Sequence, residues 1–212
     1  MEFGLVTISL LVVSALLVLG GLKLLISNGW FLHFLRGFAG FTALLLALLI
    51  VMSGLNIASY SELNEGQQLA NVSFTQIAPQ NFEVTVTNLQ NGTEQKVTID
   101  GDLWQAETRV LELAFAPASF FHIDQINGKF YSLDQEQTNL RNTYPVAGET
   151  AGLDLWSLFS ERSIGILWTR KEKSSFQPMA DGAVFSVSVG KKKGLVSRPV
   201  NEAANAIVNE WN

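Results

Sequence analysis

The sequence predicts a membrane-anchored α+β protein: an N-terminal transmembrane helical hairpin followed by a β-rich antiparallel barrel or sandwich with one or two covering helices. Three observations predict it. Phe38 to Ile57 run for 20 residues without a charge, Phe3 to Leu22 form a second uncharged run, and from Val72 onward apolar residues alternate with polar ones at period two. The resulting divisions are a hairpin over 1–60, with spans of about 3–22 and 38–57, a tether over 61–70 and a β-rich domain over 71–212.

About 20 apolar residues at a 1.5 Å rise cross a hydrocarbon core of roughly 30 Å. Both runs are apolar on every face, whereas a helix of a soluble core is apolar along one stripe. The few hydroxyls in the first run can bond to helix carbonyls. A cleaved leader would bring a basic start, a shorter apolar core and a small-residue cleavage site, and the chain begins Met1-Glu2 without them. Neither span carries Asp, Glu, Lys or Arg, the groups that ion-coupled transport ordinarily needs inside a bilayer.

Lys and Arg near span ends stay cytoplasmic. Lys23 and Arg36 flank the connection between the spans, and no further cation occurs until Lys96, while Glu62 and Glu65 follow the second span. The connection therefore faces the cytoplasm, and the C-terminal domain faces outward, which is the periplasm in a Gram-negative bacterium. All but one of the 19 acidic residues follow the second span, against all but two of the 14 basic ones, so nucleic acid is a poor partner. Cysteine is absent. The outer domain must then be stable through its own core, which about 150 residues can supply.

Val72 and Phe74, then Phe82, Val84 and Val86, each present one apolar face, and Asn91-Gly92 turns the second run back through Val97 and Ile99. Asp100-Gly101-Asp102 leads into Leu103 to Leu113, read as a strand with a short helix as the alternative. Asn127-Gly128 predicts another hairpin between Phe120–Ile126 and Lys129–Leu133. Leu153, Leu155, Trp156 and Phe159 predict a helix with Asp154 in its first turn. Phe185, Val187 and Val189 form a strand, Gly190 to Gly194 turns it into Leu195-Val196, and a last amphipathic helix starts at about Val200.

Signatures of enzymes are few. His33 and His122 share no zinc-site spacing, and there is no phosphate loop, dinucleotide fingerprint or nucleophile elbow. No cofactor is expected. His122 and Asp124, two residues apart on a strand, would share a face; the simpler reading is a half-buried surface pair. Glu107 with Glu112, or Asp134 with Glu136, could do acid–base chemistry only if folded into one cleft. Lys191, Lys192 and Lys193 form the one basic run, at a hairpin tip. It could meet anionic headgroups at about 1 kcal/mol per charge, or simply be a solvated tip that discourages edge pairing. Trp104, Phe115, Phe120 and Phe121 are candidate apolar contacts to a partner, and Arg109 a candidate polar contact to a partner or small ligand.

Five segments carry a resemblance: GDLWQAETRVLEL (101–113), YSLDQEQ, LDLWSLF, QPMADGAVFSV (177–187) and GLVSRPVNEAA (194–204). Over most of its length the chain resembles a family of small two-span gammaproteobacterial inner-membrane proteins, commonly labelled multidrug or cation efflux pumps. Pro178, Met179, Ala180, Asp181 and Gly182 are the most specific part, with Arg198, Pro199 and Asn201 in the closing segment. The resemblance implies a host class and an inner-membrane location, and brings no functional residue with it. Asp181-Gly182 also reads as a turn, and Arg198-Pro199 as a helix start with proline near its first turn.

The function expected first is a non-enzymatic accessory or assembly subunit that contacts lipid and either a larger membrane complex or further copies of itself. The alternatives are an oligomeric multidrug or cation efflux component, as the family label implies, and a periplasmic ligand-sensing domain with an aromatic-lined pocket.

Overall fold

A computed structural model describes residues 4–25, 30–116, 119–138, 143–146, 152–160, 165–191 and 194–211. The chain forms two compact units. One runs to Tyr60 and includes a later segment ending at Leu158; the other holds the chain from Ser61 on either side of that segment.

The first unit contains α1 (Leu5–Leu25) and α2 (Trp30–Ala58), both long and apolar enough to cross a bilayer. Their contact is built from small side chains. Thr7, Ser14 and Gly21 of α1 and Gly40, Ala47 and Gly54 of α2, each seven residues apart, are buried. A Cβ on Gly21 would lie 3.0 Å from the Gly40 carbonyl oxygen and 3.5 Å from the Ala43 Cβ, and one on Gly54 would lie 3.8 Å from Leu10. The helices thus run antiparallel with backbones close together. Large apolar residues point outward instead, with Leu19 and Phe38 each 65% exposed. Hydroxyls are satisfied within their own helices: Ser14 Oγ donates to the Leu11 carbonyl (2.9 Å), Thr42 Oγ1 to Phe38 (2.9 Å) and Ser53 Oγ to Leu49 (2.8 Å).

The second unit is two antiparallel sheets around one core, the arrangement of a sandwich. Its elements in order are β1 (Ser61–Leu63), β2 (Gln68–Ala78), β3 (Asn81–Asn88), β4 (Glu94–Asp100), β5 (Leu103–Leu113), β6 (Ser119–Lys129), α3 (Leu133–Thr138) and β7 (Thr143–Pro145). After α4 (Leu155–Phe159), most of which belongs to the first unit, come β8 (Leu167–Lys173), β9 (Gln177–Pro178), β10 (Val184–Val189), β11 (Leu195–Pro199) and α5 (Glu202–Trp211). The six-stranded sheet has the order β1-β6-β5-β8, with β7 added on β6 and β9 on β5; the five-stranded sheet has the order β11-β10-β2-β3-β4. Val72, Phe74, Val84, Phe185 and Val187 of one sheet meet Trp104, Ala106, Val110, Phe121 and Ile126 of the other. At the centre the Trp104 ring lies 5.2 Å from Phe74, tilted against it, and 5.3 Å from Phe185, edge to face.

The hairpin at Asn91-Gly92 forms as the sequence predicts, with Gly92 at φ 68°. Leu103 to Leu113 is a strand, and the final helix begins two residues after Val200. Three expectations are corrected. The segment 61–70 is not a free tether, because Ser61–Leu63 pairs with β6 and β2 already starts at Gln68. Asn127-Gly128 makes no turn: β6 continues through it in register with β5, Gly128 opposite Trp104. Glycine is needed there because the Asp100 backbone passes over it. Trp104, Phe120 and Phe121 are buried, so they cannot form an exposed partner patch; of that group only Phe115 is exposed.

The family-like motif closes the five-stranded sheet. Gly182 takes φ 71° in the turn before β10, and Asp181 Oδ1 accepts from the Gln76 backbone N–H at 2.9 Å. Asn201 caps α5 by accepting from Ala204 N (3.0 Å), accepts from Val184 N (3.0 Å) and donates to the Gly182 carbonyl (2.7 Å). Pro178 and Met179 are buried beside this corner, while Arg198 is exposed and Pro199 half-buried in β11. Replacing Asn201 by Ala is expected to lower stability by about 2 kcal/mol, since one cap and two further bonds are lost. Urea denaturation of the detergent-solubilised protein measures it, and a loss below half that size would show the corner to be held by packing alone.

Candidate functional site

On the sheet face turned away from the shared core, β5, β6 and β8 place charged residues side by side. Strand alternation puts Gln105, Glu107 and Arg109 of β5 on this face, and the register sets Glu107 opposite Gln125 of β6 and Lys173 of β8, and Arg109 opposite His122 and Lys171. One residue breaks the pattern. The pairing shifts between Glu107 and Thr108, leaving Asp124 as the extra residue of a β-bulge. The bulge sets Asp124 against Arg109, 2.8 Å from its guanidinium.

Glu107 is the most buried member, its side chain only 2% exposed. Its two carboxylate oxygens receive Lys171 Nζ at 2.7 Å and Lys173 Nζ at 2.9 Å, with Asn127 Nδ2 at 3.5 Å. Burial pushes this carboxyl up, but hydrogen bonds from Lys171, Lys173 and Gln125, with the Lys171 charge, outweigh it and bring the pKa down to about 2 from 4.5. Lys171 also lies 3.9 Å from Asp124. The cluster is therefore a chain of alternating signs across three strands, with three cations against two carboxylates. The two lysines keep 42% and 54% of their side chains exposed, so the excess positive charge faces water.

Glu107 is ionised throughout the neutral range and committed to two ammonium groups, so what the arrangement does best is lock three strands and present lysine charge on an acidic domain. Glu107 and Glu112 are not folded into one cleft. Glu112 lies on the opposite face of β5, where it accepts from Ser119 Oγ at 3.0 Å and pairs with Arg170 at 3.4 Å. Glu136 accepts from the Phe130 N–H at 2.9 Å at the start of α3, with Asp134 exposed beside it. Of the predicted site residues, Arg109 belongs to the cluster. Lys191 is exposed on the connection between β10 and β11, while Lys192 and Lys193 lie outside the described residues. Lys171 and Lys173 were the signal left unread: in TRKEK they fall on one strand face, but the segment is too polar to announce a strand.

A second feature of the same sheet is apolar. Where β5 ends and β8 begins, the Ala114 N–H donates to the Ile166 carbonyl at 2.9 Å, and Phe115, Ile166 and Trp168 stand exposed at this end. Comparison of the chain with protein-family profiles, with curated proteins and with solved structures gives no match.

Proposed function

We propose that this chain is a non-enzymatic accessory subunit of a bacterial inner-membrane complex, anchored as a two-pass hairpin, with a periplasmic β domain that binds a protein partner. The observation that carries the reading is the inverted packing of α1 on α2. A hairpin in water buries its large apolar side chains and exposes polar ones; this one buries Thr7, Ser14, Gly21, Gly40, Ala47 and Gly54 and turns leucine and phenylalanine outward. Small residues at the seam and apolar bulk outside are what lipid selects, because lipid supplies no hydrophobic drive for helices to associate.

Orientation follows from Lys23 in the last turn of α1 and Arg36 in the second turn of α2, both held on the cytoplasmic side. The family resemblance supports the same membrane. In the β domain, Phe115, Ile166 and Trp168 supply the exposed aromatic and aliphatic anchors that protein interfaces are built around. The acidic balance of the domain argues against nucleic acid.

The test is purification of the tagged full chain from its native membrane in mild detergent, beside an Ile166→Asp variant. A larger membrane partner at fixed stoichiometry with the native chain, lost with Ile166→Asp, is the expected result. A homo-oligomer alone in both preparations overturns the accessory reading and favours an oligomeric efflux component.

A further inference from the structure

The segment 152–158 belongs to the same compact unit as the two long helices, although the chain before and after it is assigned to the β domain. It lies on the last turns of α2. The Leu153 N–H donates to the Met52 carbonyl at 3.2 Å and the Leu155 N–H to Asn56 Oδ1 at 3.2 Å. Gly152 comes so close that any Cβ there would overlap the Met52 carbonyl oxygen. Met52 stands six residues before the end of α2 at Ala58, so at 1.5 Å per residue the segment reaches about 9 Å back along the helix. Around that stretch Leu48, Leu49 and Leu55 are exposed.

Asn56 explains how a returning backbone can lie there. It is fully buried within an otherwise apolar run. An amide at that depth is costly unless bonded, and so is a non-helical N–H brought into hydrocarbon. The Oδ1 of Asn56 meets the N–H of Leu155, and the Met52 carbonyl meets that of Leu153, so both N–H groups of the returning segment find an acceptor on α2, while Asn56 Nδ2 is buried without a partner among the described residues. Past this point Asp154 starts a short helical turn by accepting from Ser157 N at 3.1 Å. Leu155 is buried, Leu153 and Trp156 are half-buried, and Leu158 is 52% exposed.

We propose that residues 152–158 form an interfacial membrane element: the chain returns to the bilayer after its first strands and docks on α2 through Asn56, placing Trp156 and Leu158 against lipid at the boundary of headgroups and acyl chains. The occupant is lipid because the segment continues the outward, apolar surface of α2, and tryptophan with leucine beside an acidic turn residue is the chemistry of that boundary. The inference rests on the reading of α1 and α2 as a bilayer hairpin.

The absence of cysteine makes the test direct. Single nitroxide labels on Leu158→Cys and, separately, on Leu45→Cys in the full chain are compared in phosphatidylethanolamine/phosphatidylglycerol vesicles, using oxygen and a water-soluble nickel chelate as relaxants. The expected result is a deep label at 45, and a label at 158 about 5–10 Å below the phosphates, with an oxygen-to-nickel ratio severalfold above that of free label in buffer. Adding Asn56→Leu should move the label at 158 toward water and leave that at 45 unchanged. A deep label at 45 with an aqueous one at 158 overturns the interfacial element and leaves the hairpin standing. An aqueous label at 45 overturns the hairpin itself. Full immersion at 158 in the Asn56→Leu background overturns docking through Asn56.

Discussion

Gly128→Ala is expected to destabilise the β domain severely. A Cβ at this position would fall on the Asp100 carbonyl oxygen, with the Asp100 carbonyl carbon 3.3 Å away and the Tyr144 ring at 3.8 Å. Neither neighbour can retreat easily. Asp100 is paired with Asn81 in the β3–β4 ladder, its N–H donates to Tyr144 Oη (3.2 Å), and that hydroxyl donates back to Asp100 Oδ2 (3.0 Å). Relief therefore means pulling β4 off β6 beside the Trp104 core. The loss should be about 3 kcal/mol or more, a large part of the 5–15 kcal/mol by which a domain is typically stable. Gly182→Ala is the useful contrast. That glycine has φ 71° but open space around it, so only the left-handed backbone is penalised, at about 1 kcal/mol. Urea titration followed by tryptophan fluorescence compares the two; equal losses would show that the close approach at Gly128 is relaxed cheaply.

Replacing Glu107 by Gln should cost about 2–3 kcal/mol at neutral pH and change how the domain responds to acid. The carboxyl titrates at about 2 in the folded chain against 4.5 when free. A depressed folded pKa means that the unfolded chain binds the proton more readily. The stabilisation is thus complete above pH 4.5, falls as pH drops from 4.5 toward 2, and is gone below that. The partial exposure of Lys171 and Lys173 screens the pair, which keeps the figure below the full value of the shift. In Glu107→Gln this acid limb should flatten while other carboxylates keep theirs. Stability curves for the two proteins that stay parallel between pH 5 and 2 would show that Glu107 is not held by the lysines.

Where local chemistry decides, the fold could be read from the residues. The uncharged runs form long helices, Asn91-Gly92 turns a hairpin, and Val84, Phe185 and Val187 lie inward by simple alternation. Where a distant segment decides, it could not. Asn127-Gly128 has turn chemistry, yet β6 runs straight through because β5 lies along its whole length and Asp100 needs room. β8 escaped notice because Lys171 and Lys173 serve Glu107, 64 and 66 residues earlier, and a buried carboxylate is invisible until its partners are adjacent. Alternation alone puts Asp124 on a face with His122; the bulge, which alternation does not foresee, sets it against Arg109. The spacing of seven in Thr7, Ser14 and Gly21, repeated in Gly40, Ala47 and Gly54, was legible in principle; it was hidden because small residues stand out less than the leucines between them.

The order of strands also bears on how the domain is made. β2, formed by Gln68–Ala78, has β3 on one side, but on the other it waits for β10 at Val184–Val189, and Phe74 is closed off by the turn at Ala183. Contacts so far apart in sequence form late and slowly. As the chain is delivered, the β2–β3–β4 meander must stand with one edge and its apolar face open until nearly all that follows has been made. That interval, more than the finished fold, is when the protein is exposed to misassociation and when a folding helper in the same compartment would act on it.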